Sequence, residues 1–207
     1  MSSSNQTTPL TPLLRSHNLT GGPAGMAVVD GLCHAWAPGL HWVCGDEGSG
    51  KTSLLRLLAG DLQALGGSIE RPPGGVFWLD LKGSEHDQTT VQTCWDQLQG
   101  RFPEWQAGLQ QDLAEALDMV RHQHKPLFML STGSRRKVML VAALASGASV
   151  TLLDQPFVSL DQVSVRVIKD YLSEAAAHPN RAWIVADYEV PNDLCPTSVL
   201  DLSPGKS

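Results

Sequence analysis

Residues 45–53 read GDEGSGKTS, and few strings this short restrict a fold so strongly. They match G-x-x-x-x-G-K-[ST] at Gly45, Gly50, Lys51 and Thr52. Such a loop works only between a strand and a helix. Its glycines let backbone N–H groups turn toward an anion, and the helix N-terminus adds its positive end. The flanks comply: LHWVCG at 40–45 reads as a strand entering a turn, and KTSLLRLLAG at 51–60 sets leucines at helical spacing. A Gly-rich turn with an accidental lysine would not keep all three parts in register. The candidate phosphate contacts are Gly45, Asp46, Glu47, Gly48, Ser49, Gly50, Lys51, Thr52 and Ser53. Lys51 would reach the β- and γ-phosphates, and Thr52 would place its hydroxyl on Mg²⁺.

Beyond this loop, a turn is predicted at GGSIERPPGG and a buried strand at VFWLD, 76–80. Residues 88–127 are richer in Gln, Asp and Glu, with apolar positions at roughly helical spacing and Pro103 and Pro126 as punctuation. They predict a small helical lobe at about 84–130. A helix over 134–146, a strand at 149–153, a helix over 162–177 and strands at 182–186 and 198–202 follow. Strands alternating with helices predict an α/β fold with a mostly parallel sheet, the lobe inserted between its halves.

The chain has 207 residues, 42% of them hydrophobic, which suits one globular domain. Its net charge of −6 gives no reason to expect nucleic acid or an anionic membrane surface as a partner. The four cysteines lack metal-ligand or CxxC spacing, as in a reduced compartment. Residues 1–24 are rich in Ser, Thr, Pro and Gly, carry no apolar core of a secretion signal, and predict a flexible arm, with the domain proper at 25–207. The longest apolar run, 138–153, is broken at Gly147 and too short to span a bilayer. Any membrane role therefore needs a partner.

Two further strings choose among phosphate-loop folds. LSTGSRRK at 130–137 would start a helix with Ser131 as its cap, and VTLLDQPFVSLD at 150–161 runs a buried strand into a carboxylate, Asp154. Taken alone, the first string is as well read as an ordinary capped core helix. In this order and at this spacing, residues 26–203 resemble the ATP-binding-cassette (ABC) ATPases, P-loop NTPases with an inserted helical lobe. GDEGSGKT is similar to their Walker A loop, LSTGS to their signature, VTLLD to Walker B and SLD to the D-loop. The small size and DQPFVSLD also resemble the compact ATPase of the haem exporter used in cytochrome c maturation. The resemblance implies ATP and Mg²⁺ as ligands, with Thr52 and Asp154 on the metal. It implies a head-to-tail pair with a second cassette, as homodimer or heterodimer, in which Ser131 and Gly133 of one copy cover ATP on the other. It implies an integral membrane permease as partner, and a peripheral location on the cytoplasmic side of the inner (plasma) membrane.

Five positions depart from the family. Gln155 stands where the catalytic Glu is expected; an amide orients water but is no useful base. A Gln here fits equally a site altered to trap ATP and a natural loss of the base. Asp187 aligns with the switch His, and Tyr188 beside it could donate a hydrogen bond instead; a shift of one residue would take both out of the site. Asp80 is nearest to the family's Gln after VFWL and could meet Mg²⁺ through water. Thr132 and Ser134 replace a Gly and a Gln of the signature, and no aromatic near 17–23 offers a stack for adenine.

Trp95, Phe102 and Trp105 suit a lobe core better than a partner groove. His122 and His124 do not share a helix face and predict no metal site. Arg135, Arg136 and Lys137 read as a solvated or phosphate-facing helix edge. The function expected is the nucleotide-binding subunit of an ABC transporter, with hydrolysis impaired at Gln155. The alternative is a non-hydrolytic regulatory or structural ATP-binding subunit. A GTPase or small-molecule kinase is disfavoured, because no N/T-K-x-D string is present.

Overall fold

Five apolar runs build the parallel sheet. A computed structural model describes residues 11–81 and 83–203. In chain order it holds strands β1 (Leu14–Gly21), β2 (Val29–Trp36) and β3 (Gly39–Cys44), helix α1 (Lys51–Ala59), strands β4 (Gly66–Glu70) and β5 (Val76–Phe77), helices α2 (Val91–Arg101), α3 (Ala107–Ala116) and α4 (Thr132–Ala145), strand β6 (Val150–Asp154), helix α5 (Gln162–Ala175), and strands β7 (Ala182–Ala186) and β8 (Ser198–Asp201). The parallel sheet runs β5-β6-β7-β3-β8. β7 is buried throughout and β6 up to Asp154, as strands covered on both faces must be.

Alternation sorts these side chains to two cores. Leu40, Trp42, Leu153, Trp183 and Val185 point to the face covered by α4 and α5 and join the apolar residues of α2 and α3 in one cluster. Val43, Val150, Leu152, Ala182, Ile184 and Ala186 point to the other face, where α1 lays down Leu54, Leu55, Leu57 and Leu58. Each buried leucine is worth roughly 1.5–3 kcal/mol, so α1, and the loop at its head, is firmly fixed. The lobe is anchored likewise: Trp95 is fully buried and donates Nε1–H to Val138 O at 3.1 Å, and Phe102 packs on Phe77. Trp105 is half-buried against the same cluster.

The structure corrects three expectations. Residues 14–21 are not an arm; they form β1, the centre of an antiparallel sheet ordered β2-β1-β4. The first ten residues of that expected arm lie outside the described residues. GGSIE is strand β4 rather than turn, paired with β1. The strand predicted over 76–80 ends at Phe77, because it is the sheet edge and pairs only through Val76 and Phe77. Trp78, Leu79 and Asp80 leave the sheet and line a cavity of about 330 Å³ with Arg136 and Asp154.

His41 is a buried polar residue of β3, only 3% exposed. Its Nε2 donates to Ala37 O at 2.7 Å, which leaves Nδ1 to accept from the Ser198 hydroxyl at 2.7 Å. Burial holds its pKa below the usual 6.5. The unfolded chain therefore takes up this proton first as pH falls through 6.5, and stability is lost below that value. We expect denaturant unfolding to show the native chain losing more stability between about pH 7.5 and about pH 5.5 than His41→Gln does, because glutamine carries no titrating charge. Equal losses would show that His41 does not set this dependence.

Candidate functional site

The parallel order brings the C-terminal ends of β3, β6 and β7 side by side. Everything that leaves those ends converges: the loop 45–50, Asp154–Gln155, and Asp187–Tyr188. Asp187 N–H donates to Val43 O at 3.1 Å and Gln155 N–H to Ala186 O at 2.8 Å, so the three exits are tied to one another by backbone.

The loop has the shape its glycines require. Gly45 takes φ 149° and a Cβ there would lie 2.4 Å from Ser49 Oγ. Gly50 takes φ 98° as the residue before α1. Lys51 is 6% exposed, and its ammonium turns back into the loop, donating to Gly45 O at 2.5 Å and Asp46 O at 2.8 Å. The Tyr188 ring lies 4.7 Å from the same ammonium. Asp46, Glu47 and Gly48 are exposed at the loop tip, with Ser49 and Ser53 half-buried beside it. Thr52 Oγ1 donates to Asp154 Oδ2 at 2.9 Å across the head of α1.

Asp187 and Asp80 both face this centre. Asp187 is half-buried; desolvation, helped by the Asp154 carboxylate, raises its pKa, against the Tyr188 backbone N–H first and then Lys51 and Arg136, which pull it down. Asp80 is exposed and shares the 330 Å³ cavity with Asp154. A hydroxyl and carboxylates suit Mg²⁺, a hard cation. Among the described residues no group of three or more His, Cys, Asp or Glu could hold a metal ion. A Mg²⁺ here would thus lean on phosphate oxygens beside Thr52 and Asp154, its usual habit.

Residues 155–161 form a strained turn into α5. Gln155 and Ser159 have φ 47° and 64°. Phe157 stacks on the buried Trp42, centroids 6.4 Å apart. Asp161 caps α5, accepting from Ser164 N–H at 2.8 Å. Lys137 Nζ donates to Asp161 Oδ2 at 2.6 Å; that bond, with those from Ser164, holds the carboxyl far below its usual range.

Ser131 and Gly133 stand at the start of α4, where Gly133 meets this turn at Ser159. Ser131 is exposed and caps α4, accepting from Ser134 N–H at 3.1 Å. A Cβ on Gly133 would lie 2.3 Å from Ser159 O of the same chain. The glycine is therefore required by the chain's own packing, before any phosphate is considered. The helix edge at 135–137 is not a solvated one. Arg135 pairs with Asp87 at 2.6 Å and donates to Gly83 O at 2.9 Å, Arg136 turns under β6, and Lys137 reaches Asp161. Arg136 Nη1 donates to Asp154 O at 3.0 Å and also to Gln155 O. Arg136 is the site residue that sequence reasoning missed. A run of three basic residues at a helix start does not reveal which of them points inward.

The family model described as ABC transporter matches residues 37–158. The chain is 30% identical over 200 residues, 94% of its length and 89% of the relative's, to the cytochrome c biogenesis ATP-binding export protein CcmA of Rhodobacter capsulatus. It is 29% identical to the CcmA of Paracoccus denitrificans, over 93% of this chain and 90% of that one. Among solved structures it is similar to an ATP-binding subunit of an ABC transporter, with TM-score 0.72, 16% identity, and 84% and 79% of the two chains covered. A second likeness is a putative ABC transporter ATP-binding protein from Pyrococcus furiosus, with TM-score 0.68, 21% identity, and 91% and 96% covered. The loop 45–53, Asp154 and the helix capped by Ser131 stand in one α/β frame, and the chain belongs to the ABC transporter family of ATP-binding proteins, with relatives of the CcmA export type.

Proposed function

We propose that the chain is the ATP-binding subunit of an exporter of the cytochrome c biogenesis type, driving a separate integral membrane permease by closing on ATP. The observation that carries this reading is the Thr52–Asp154 hydrogen bond at 2.9 Å. It sets a hydroxyl and a carboxylate beside a loop whose N–H groups and lysine suit phosphates. No described helix is long and apolar enough to cross a membrane, which is why the work would pass through a partner.

Lys51 would exchange its bonds to Gly45 O and Asp46 O for phosphate oxygens. The N–H groups of residues 45–53 would cradle the rest of the triphosphate. Bound between Thr52, Asp154 and the phosphates, Mg²⁺ would offset charge on the transferring group. Asp80 would reach that metal only through water. The exposed Ser131 and the nearby Gly133 would cover ATP held by a second cassette, identical or related.

Gln155 would orient the attacking water without accepting its proton. Base catalysis of that kind is typically worth ~10²–10⁴-fold. Asp187 adds negative charge where the family carries a switch histidine, and Tyr188 is engaged with Lys51. These departures also support a second reading, a regulatory subunit that binds ATP without turnover.

Three measurements separate these readings. Lys51→Ala should weaken Mg-ATP binding, because it removes a charge-assisted contact; unchanged affinity in titration calorimetry would refute the loop assignment. ATP should promote a two-cassette assembly, read by light scattering, and Ser131→Arg should block it at the exposed face; pairing that survives would remove the signature from the interface. Gly133→Asp is the poorer probe, since bulk there meets Ser159 O at once. In single turnover with the assembled transporter, Gln155→Glu should hydrolyse ATP ~10²-fold faster or more while binding it no more tightly. A gain that appears only in Gln155→Glu/Asp187→His would make both positions limiting. An inactive double variant that still closes on ATP would favour the regulatory subunit.

A further inference from the structure

Arg136 belongs to neither the phosphate loop nor the exposed face of the signature. It projects from the first turns of α4 and reaches beneath the end of β6. Its Nη1 donates to Asp154 O at 3.0 Å and to Gln155 O. The peptide of Gln155 is thereby held from both sides, since its N–H donates to Ala186 O at 2.8 Å. Three carboxylates, Asp154, Asp80 and Asp187, act on the Arg136 charge, with Asp154 the strongest of them. Its Nε is buried and has no hydrogen-bond partner among the described residues. A buried donor left unpaired is costly; burial lowers the Arg136 pKa, and the carboxylates counter that only in part.

Resting on the reading that ATP binds at this loop, we propose that Arg136 is a positioning residue and in-chain counter-cation of the nucleotide site. It fixes the Gln155 peptide and compensates Asp80, Asp154 and Asp187, so that a third phosphate is tolerated beside them. The argument is one of charge. Lys51 and the glycine loop serve the inner phosphates, which ATP and ADP share. The additional phosphate of ATP adds negative charge on the side where Asp187 stands in place of a neutral or cationic residue. Asp187 is itself raised by burial and by Asp154, so that corner is already short of positive charge. Arg136 is the guanidinium that supplies it from within the chain. Its second role is geometric. Gln155 sits at φ 47°, a region that side-chain-bearing residues seldom adopt, and the bond to its carbonyl favours that conformation. Both carbonyls accept from the one nitrogen Nη1; a lysine would keep the charge, but its ammonium stands one bond nearer the backbone and would not bring a donor to both of them.

The test compares Mg-ATP with Mg-ADP by titration calorimetry on the full chain, for the native sequence, Arg136→Gln, Arg136→Lys, Asp187→Asn and Arg136→Gln/Asp187→Asn. Arg136→Gln should weaken ATP by about tenfold or more and ADP by less than about threefold, since only ATP meets the uncompensated charge. Arg136→Lys should restore most of the ATP affinity. Adding Asp187→Asn to Arg136→Gln should also restore it, because removing the repelling carboxylate replaces the missing cation. Placed on Gln155→Glu, Arg136→Lys should still hydrolyse more slowly than Gln155→Glu alone, which reads the positioning role apart from charge. Equal weakening of ATP and ADP, or an ATP loss relieved by neither Arg136→Lys nor Asp187→Asn, would overturn the inference while leaving the nucleotide site standing. If thermal melting shows Arg136→Gln to be unfolded, Arg136→Lys and Asp187→Asn decide. Asp187→Asn must then tighten ATP more than ADP, and no change would refute the charge argument. A native chain that binds neither nucleotide would overturn both readings.

Discussion

The first turns of α4 are fastened to the segment that leaves β6, and much of the site's geometry follows from that contact. Gly133 allows the helix to meet Ser159 O, Arg136 takes the carbonyls of Asp154 and Gln155, and Lys137 pairs with the cap residue Asp161 at 2.6 Å. The same helix is wholly buried from Val138 to Ala145, so it has no freedom to swing. One buried helix therefore sets where Asp154, Gln155 and the exposed Ser131 stand. Arg135, next along the helix, holds Asp87 and Gly83 O and so brings the segment entering the helical lobe into the same framework.

Charge within that framework is concentrated. Asp80, Asp154 and Asp187 gather around a cavity and a phosphate loop that also hold Lys51, Arg136 and Arg135, the last paired with Asp87. Lys51 is occupied by two carbonyls of its own loop and by the face of Tyr188. Neutral carbonyls and a ring are weak partners for an ammonium compared with a phosphate, so a nucleotide bound as proposed would displace them at modest loss. The family's switch histidine would add a donor at the corner where Asp187 adds a carboxylate. A site with that substitution would gain from a compensating cation nearby, the role proposed for the Arg136 guanidinium in the first turns of α4.

How far the sequence disclosed this varied with the kind of signal. GDEGSGKT carries its own geometry, because glycines at fixed offsets and a lysine leave one arrangement open to the backbone. VTLLD and AWIVA are continuous apolar runs, which only a strand covered on both faces explains, and they appear as β6 and β7. β1 was hidden for a physical reason. Its pairing with β2 and β4 shifts register between Ser16 or His17 and the residues that follow, with Asn18 at φ 52°. A bulge breaks the period of two on which strand recognition depends. Its inward side chains also include Ser16, polar yet 2% exposed because its hydroxyl accepts from His34 N–H at 3.1 Å. Arg136 was hidden differently: three consecutive basic residues point in three directions from a helix, and only the packing of α4 on β6 selects the inward one.

Position 155 shows why chemistry and scaffold can vary separately here. Its left-handed backbone costs about 1–2 kcal/mol in a residue with a side chain. None of the groups that repay this cost belongs to the side chain. Gln155 N–H goes to Ala186 O, its carbonyl goes to Arg136, and two residues on Phe157 is anchored against Trp42. Gln and Glu have nearly the same shape, so exchanging one for the other leaves every one of these contacts in place. What changes is the ability to take a proton. The strained turn is therefore maintained whether or not the residue on it can act as a base, so backbone geometry at position 155 does not depend on which of the two side chains stands there.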